Sequence, residues 1–288
     1  MRENGPVTTP TEAPPAAVPR LIATDLDGTL LRDDKTLSAR TIAALVAAER
    51  AGVHVLFVTG RPPRWMDAVA SHLPAHGTAI CANGAAVVDL GAGGRLIKVH
   101  PLGRAEALDV VHRVRAVAPG TTFAVEFTTG FHYEPLYPPF HQDPWATVAP
   151  VEKLLDEETP GSGAPVLKLL ARHTDIAPDT FLALAREAAG DRVAFTRSSP
   201  SALLEAGGAG VSKARTLAEY CAERGVGPEE VVAFGDMPND VEMLNWAGTS
   251  YAMANAHPAA VSAASGRTLT NEEDGVAVVL ERLLAAAR

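Results

Sequence analysis

No stretch of this 288-residue chain stays apolar for the roughly 20 residues that a bilayer-crossing helix needs, so an integral pump or transporter is not expected. Cysteine is almost absent. Cys81 and Cys221 are too few for a disulfide framework or a structural zinc site, suit a reducing compartment, and read as small buried hydrophobes. Basic residues are in deficit, 25 Lys and Arg against 34 Asp and Glu. The resulting charge of −9 has the wrong sign for a protein whose partner is a nucleic acid or an anionic membrane. The start, Met1-Arg2-Glu3-Asn4, leads into Pro and Thr rather than the apolar centre of a signal peptide, and the expected location is cytoplasmic. If the substrate is an anion, positive charge must be arranged locally against the global field.

What is present is ordinary for a globular protein: 47% hydrophobic residues, 20% charged, mean hydropathy +0.07. The length leads one to expect two domains. Residues 1–19, rich in Pro, Thr and Ala without apolar periodicity, cannot offset the entropy of ordering and are expected to form a disordered tail. From Arg20 onward, short apolar runs alternate with amphipathic helices. Leu21 to Thr24, a helix over Ser38 to Ala51, and Val53 to Val58 make a strand-helix-strand unit and hence a parallel sheet, with Ser38 as N-cap and Gly52 beyond the C-terminus. The same grammar returns near the end, with a helix over Ser212 to Arg224, a strand over Val231 to Phe234, a helix over Pro238 to Trp246 and a last helix after Gly275.

The middle differs. A hairpin is expected from Ala85 to Val99 around the turn Gly91-Ala92-Gly93-Gly94. There follow a helix over Arg104 to Ala118, a strand over Thr122 to Phe127, and a Pro- and aromatic-rich loop from Pro135 to about Gly163. A strand over Val166 to Ala171, a helix over Asp179 to Ala189, and a hairpin of Val193 to Arg197 with Ala202 to Ala206 complete this part. Helices mixed with hairpins read as an α+β module set inside an α/β domain. The run Gly207-Gly208-Ala209-Gly210-Val211-Ser212-Lys213 is not a phosphate-binding P-loop, because its lysine does not follow a glycine.

Chemistry gathers where strands end. Asp25-Leu26-Asp27-Gly28-Thr29-Leu30 follows the first strand, Thr59-Gly60-Arg61 the second, and Gly235-Asp236-Met237-Pro238-Asn239-Asp240 the strand ending at Phe234, while Lys213 opens a helix. Each alone has a plain reading: an Asp-Gly turn, a helix N-cap at Thr59, a solvated Lys213. Together, in this order, they put carboxylates and a cation at the carboxyl ends of an open sheet, where ligands collect.

These four segments resemble the motifs of the haloacid dehalogenase-like (HAD) hydrolase superfamily, and in particular its Cof-type phosphatases (cap class IIB). Asn83-Gly84, Ala252 to Ala256 and Asn271 to Val276 add to the similarity, which runs from Leu21 onward; Ala214 departs from the glycine usual after the motif lysine. The resemblance implies a Rossmann-like α/β core, a mainly parallel sheet flanked by helices, built from residues 20–84 and 208–288. An inserted α+β cap of residues 85–207 would set specificity.

It also implies that Asp25 is the nucleophile that becomes an aspartyl-phosphate. Mg²⁺ would be held by Asp25, Asp236 and the backbone carbonyl of Asp27. The side chain of Asp27 would be the general acid and then the base, needing a raised pKa for the first step. Thr59 would offer its hydroxyl and backbone N–H to the phosphate, with Gly60, Lys213 and Asn239 around it and Arg61 either touching substrate or held in an exposed ion pair, and Asp240 would orient Lys213 or a metal-bound water. Ion pumps of the superfamily carry Asp-Lys-Thr-Gly-Thr at the first motif and need membrane helices; this chain has neither.

The expected activity is hydrolysis of small phosphate monoesters, sugar phosphates first, by a monomer or weak homodimer whose partner is a phosphorylated metabolite and not nucleic acid or membrane. The alternatives are a phosphosugar mutase, a disaccharide-phosphate phosphatase, or a non-catalytic sugar-phosphate binder. His132, Tyr133, His141 and Trp145 are candidates for substrate stacking or hydrogen bonding.

Overall fold

The computed structural model describes residues 19–70, 77–138, 145–159, 163–197 and 202–286. The expected disordered tail and His141 lie outside them, apart from Pro19. Among the described residues, thirteen strands form two sheets. They are β1 (Leu21–Thr24), β2 (His54–Val58), β3 (Thr78–Cys81), β4 (Ala86–Asp89), β5 (Arg95–Val99), β6 (Thr122–Phe127), β7 (Phe131–Tyr133), β8 (Val166–Arg172), β9 (Val193–Thr196), β10 (Leu203–Gly208), β11 (Val231–Gly235), β12 (Thr249–Ala252) and β13 (Gly266–Arg267). The helices are α1 (Ala39–Arg50), α2 (Asp67–Ala70), α3 (Arg104–Val117), α4 (Val151–Leu154), α5 (Pro178–Ala189), α6 (Lys213–Ala222), α7 (Val241–Trp246), α8 (Pro258–Ala263) and α9 (Gly275–Ala286).

The first sheet runs β13-β12-β11-β1-β2-β3-β4-β5, parallel from β13 through β3. Both faces are covered, and the two-residue pleat sorts side chains between them. Ile22 points into a core with Leu45 and Ala48 of α1 and Val279 and Leu280 of α9, while Leu21 and Ala23 point into a second core with Leu217 of α6, Met243 of α7 and Ala260 of α8. Ser38 caps α1 by accepting from Thr41 N at 2.9 Å, and Gly52 follows at φ +81°, as its sequence position suggests.

The second sheet, β7-β6-β8-β10-β9, is antiparallel and inserted in the chain between β5 and β11. Helices α3 and α5 cover one face through Val110, Val114, Phe181 and Ala185, packed on Phe123, Val125, Leu169 and Leu204. Two expectations are corrected. The 85–99 hairpin was assigned to the inserted module, but β4 pairs antiparallel with β3 and β5 with β4, so this hairpin extends the first sheet. A hairpin's turn chemistry is the same in either sheet; the partner of its free edge decides. Within the expected loop of 135–163, Val151–Leu154 forms one helical turn and Tyr133 bridges to Val148.

Strand order places the site. The chain begins in the middle of the sheet at β1, adds β2 and β3 on one side, then returns to add β11 to β13 on the other. The order therefore reverses between β1 and β11, which pair with Thr24 beside Phe234. At such a switch point the loops leaving neighbouring strands part company and leave a crevice.

Gly84 closes the far side of this crevice. Its φ is +107°, and a Cβ there would lie 2.5 Å from the backbone oxygen of Ser212, the N-cap of α6. Thr216 Oγ1 donates to Gly84 O at 2.9 Å. Gly84→Ala should lower stability by about 2 kcal/mol or more, read from the urea midpoint, because strain and overlap act together. An unchanged midpoint would show that α6 can move aside freely.

Candidate active site

Asp25 follows β1 and Asp236 follows β11, so the register that pairs the strands also sets the two carboxylates side by side, with Asp25 N donating to Phe234 O at 3.0 Å. Lys213, the first residue of α6 and 1% exposed, reaches between the strand ends. Its Nζ donates to Asp25 Oδ1 at 2.6 Å and to Asp240 Oδ1 at 2.7 Å. Asp240, wholly buried, accepts at its other oxygen from the backbone N–H groups of Asp236 and Met237. Thr29 Oγ1 donates to Asp236 Oδ1 at 2.8 Å. Gly28, at φ +79°, lets this turn pass close; a Cβ would fall 2.4 Å from Asp236 Oδ2.

The later motifs act as struts. Asn255 Nδ2 donates to Gly28 O, Asn271 Nδ2 to Leu31 O, and His257 N to Asp236 O at 2.8 Å. Ala214 packs its methyl into the core with Leu217 and Tyr220.

The electrostatics are lopsided. Burial pushes the Asp25 carboxyl well up, Lys213 opposes this, and Asp240 and Asp236 add to it. Burial, then Asp240, raise Asp236 to about 7. Burial by itself would lower Lys213, but Asp240 and Asp25 outweigh it and hold the ammonium charged.

Asp25, Asp236 and Asp240 can bring ligand atoms within 4.8 Å of one another, and among the described residues Lys213 is the cation ion-paired with this cluster. Three buried carboxylates against one ammonium leave room for a divalent cation to bring the cluster to neutrality. Asp240 has spent both oxygens on Lys213 and the backbone, whereas Asp25 and Asp236 each use one oxygen in the hydrogen bonds found among the described residues. The donor set fits a hard divalent ion, with Asp25 and Asp236 as its side-chain ligands.

Asp27 is the clearest departure from expectation. Its carboxylate is forked by Arg61, Nε to Oδ2 at 2.6 Å and Nη2 to Oδ1 at 2.8 Å, and Lys35 Nζ lies 2.9 Å from Oδ1. Burial would raise its pKa, yet the hydrogen bonds from Arg61 and Lys35 prevail and lower it to about 2. The raised pKa that an acid role asks for is therefore not found in this conformation. Of the two readings of Arg61, the structure shows the ion pair, made with Asp27 and largely buried on the arginine side.

Thr59 is corrected in part. Its backbone N–H is given to Ile80 O at 2.8 Å and is not available to a phosphate. Its Oγ1 accepts from Arg61 N at 3.1 Å, which leaves the hydroxyl hydrogen to donate. The N-cap reading also fails, since the short helical turn Pro63–Trp65 is led by Pro62. Gly60 lies beside Asn83 Oδ1, and Asn239 Nδ2 donates to the same Asn83 oxygen at 3.0 Å, while Asn239 Oδ1 is buried without a hydrogen-bond partner among the described residues.

A half-open cleft of about 100 Å³ runs from Lys213 and Asn239 outward between the two sheets. Its outer wall is Lys168, Phe195, Thr196 and Glu205 of the second sheet, residues that the motifs did not single out. The signal available was a lysine inside the apolar strand Val166-Leu167-Lys168-Leu169-Leu170. Of the suggested stacking residues, His132 is buried and accepts from Thr147 N, Tyr133 packs with Phe131 and Tyr137, and Trp145 is 88% exposed. Cys81 and Cys221 are buried, and burial pushes both thiols up, so neither is primed as a nucleophile.

Paired aspartates and a buried lysine at the switch point of an open α/β sheet are groups that together can hold a cation and an anionic ligand. Residues 22–280 match the haloacid dehalogenase-like hydrolase family, and the chain belongs to it. It is 32% identical over 275 residues to the 5-amino-6-(5-phospho-D-ribitylamino)uracil phosphatase YitU of Bacillus subtilis (strain 168), covering 91% of this chain and 97% of the relative. It is 30% identical over 278 residues to the pyridoxal phosphate phosphatase YbhA of Escherichia coli (strain K12), covering 90% and 96%. The solved structure of BT1666 from Bacteroides thetaiotaomicron, a HAD-superfamily phosphatase, superposes with a TM-score of 0.75 and 23% identity, covering 98% of this chain and 99% of that one. The protein is a phosphate monoester hydrolase of this family, and no described helix is long and apolar enough to cross a membrane.

The Arg61 fork makes a signed pH prediction. The folded Asp27 carboxyl titrates below its ordinary 3.8, so its contacts stabilise the fold above that pH and are lost as pH falls through about 2. Carboxyl carbon NMR should show Asp27 ionised from pH 4 upward in the wild type, and Arg61→Met should move its midpoint upward. An unmoved midpoint would assign the shift to another source.

Proposed function

We propose that the protein hydrolyses small phosphate monoesters, sugar phosphates foremost, through an aspartyl-phosphate on Asp25. The observation that carries this reading is the buried line Asp25–Lys213–Asp240 beside Asp236 at the switch point. A carboxylate oxygen of Asp25 attacks phosphorus as the ester P–O bond breaks, and Asp27 gives a proton to the leaving alkoxide. Water then attacks the aspartyl-phosphate, passes its proton to Asp27, and releases inorganic phosphate with Asp25 restored. Lys213 and the Thr59 hydroxyl face the charge that builds on the phosphoryl oxygens. Asp25 and Asp236 would hold Mg²⁺, with the Asp27 carbonyl, and the ion would supply charge neutralisation between two anions.

The acid step requires the Asp27–Arg61 pair to open, since a carboxyl held near 2 has no proton to give at neutral pH. A substrate dianion beside Arg61 and Lys35 competes for the same cations and so favours that opening. The second sheet with its helices, about residues 100–208, would be the cap that covers the site and reads the leaving group. Thr196 and Glu242 in the cleft supply hydrogen-bonding groups that suit a hydroxyl-rich leaving group. The substrates in the names of YitU and YbhA are likewise compact, polar phosphate esters.

Asp25→Asn should abolish release of phosphate from para-nitrophenyl phosphate while far-UV circular dichroism stays unchanged; wild-type turnover in that variant would sink the mechanism. Asp27→Asn should still bind Mg²⁺ by calorimetry but lose about 100-fold or more in kcat, in line with the loss of a general acid. EDTA should remove activity and Mg²⁺ restore it, and full activity in chelator would exclude metal dependence. Phosphate release across a panel of metabolite phosphates then ranks sugar phosphates against other monoesters.

A further inference from the structure

Lys168 and Glu205 take no part in the steps above, yet they are among the most buried charges in the protein, at 4% and 5% exposure. The pleat explains where they point. Leu169 beside Lys168 on β8, and Leu204 and Ala206 on either side of Glu205 on β10, face the helix-covered core of the second sheet, while Leu167 joins the core of the first sheet. The two charges are thereby turned to the opposite face, toward the first sheet.

There they meet the loops of the active site. Lys168 Nζ donates to Gly60 O at 2.8 Å and to Glu205 Oε2 at 3.1 Å. The same Glu205 oxygen accepts from Asn83 Nδ2 at 2.5 Å, and Asn83 Oδ1 accepts from Asn239 Nδ2. The Gly60 carbonyl belongs to the peptide plane whose N–H, on Arg61, donates to Thr59 Oγ1. That plane is gripped at both edges, by Lys168 on one side and Thr59 on the other, and it carries the guanidinium that forks Asp27. The facing segment is held in a costly conformation: Ala82 and Asn83 have φ of +51° and +55°, with Ala82 N bonded to Arg61 O and Asn83 N to Thr59 O. Strain of this kind persists only where surrounding contacts over-determine it, and the Glu205–Asn83 bond is one such contact.

We propose that Lys168 and Glu205 are positioning residues: seating this pair on Gly60 O and Asn83 sets Thr59, Arg61 and Asn239 in working geometry, so the cap governs the catalytic loops without touching phosphate. This rests on the phosphatase reading above. An apolar contact between cap and core would also cover the site, but only a donor that reaches the Gly60 carbonyl fixes how that peptide is turned.

Full-length Lys168→Met, Glu205→Gln and the double variant test this, by steady-state kinetics on para-nitrophenyl phosphate with Mg²⁺ and by amide hydrogen exchange. The expected result is a kcat about 10- to 100-fold lower, as displaced catalytic groups give, with KM within about threefold. The double variant should be no more than about threefold slower than the slower single, because the two act as one unit. Exchange at Arg61, Ala82 and Asn83 should quicken about tenfold while β1 and β11 stay unchanged. A role in folding alone would reduce the folded fraction and leave kcat per folded site intact, which overturns the proposal. So would a raised KM with kcat unchanged, the mark of a leaving-group contact, or unaltered exchange at the three amides. Glu205→Gln keeps the side-chain shape and decides the matter if Lys168→Met does not fold. A wild type that releases no phosphate would refute the phosphatase reading, and the exchange data, which need no turnover, would still decide the positioning role.

Discussion

The rest of the structure depends on one buried ammonium. Lys213 lies between Asp25 and Asp240 with almost no exposure, and each of the three would be costly to bury alone. They come from the end of β1, the start of α6 and the loop after β11, so the charges are matched only when both ends of the chain are folded together. The close passage of Gly84 over Ser212 seats α6, and Gly28 lets the turn after β1 lie against Asp236. Stability and the site are in this sense one construction: the contacts that make the core compact also bring the cluster into register.

Environment then separates residues of identical chemistry. Asp25 and Asp27 are two positions apart, yet burial among other carboxylates pushes the first up while Arg61 and Lys35 hold the second down. One carboxylate is thereby set in a cluster that calls for a cation, and the other is kept as an ion by cations already present. Two carboxylates driven apart by their surroundings can serve two roles in one reaction. The acidic balance of the chain is answered locally, by Lys213, Arg61 and Lys35, and not by any change in the overall field.

Much of the architecture was legible beforehand because it is written in local patterns. Ser38 and Gly52 bracket α1, the apolar runs Leu21–Thr24 and Val231–Gly235 are strands, and the four motifs stand at strand ends or a helix start. The strands Thr78–Cys81 and Thr249–Ala252 were not legible, being four residues each with no alternation to mark them. The 85–99 hairpin was legible as a hairpin and misassigned to the inserted module, because nothing in its turn reports which strand lies along its edge.

In the site, the order of the motifs along the chain pointed through the family resemblance to Asp25, Asp27, Lys213 and Asp236, and the fold brings Asp25, Lys213 and Asp236 into one buried cluster with Asp27 two positions on. What the amino-acid sequence determined by itself is therefore the fold class and the set of groups. The tertiary structure decided their states: that Asp27 is forked by Arg61, that the Thr59 N–H is given to Ile80, that Asp240 has no oxygen to spare, and that Lys168 and Glu205 reach in from another sheet. The physical reason is that hydrogen bonds and charge pairs act over a few ångströms between residues tens to hundreds of positions apart, and only the folded chain sets those distances.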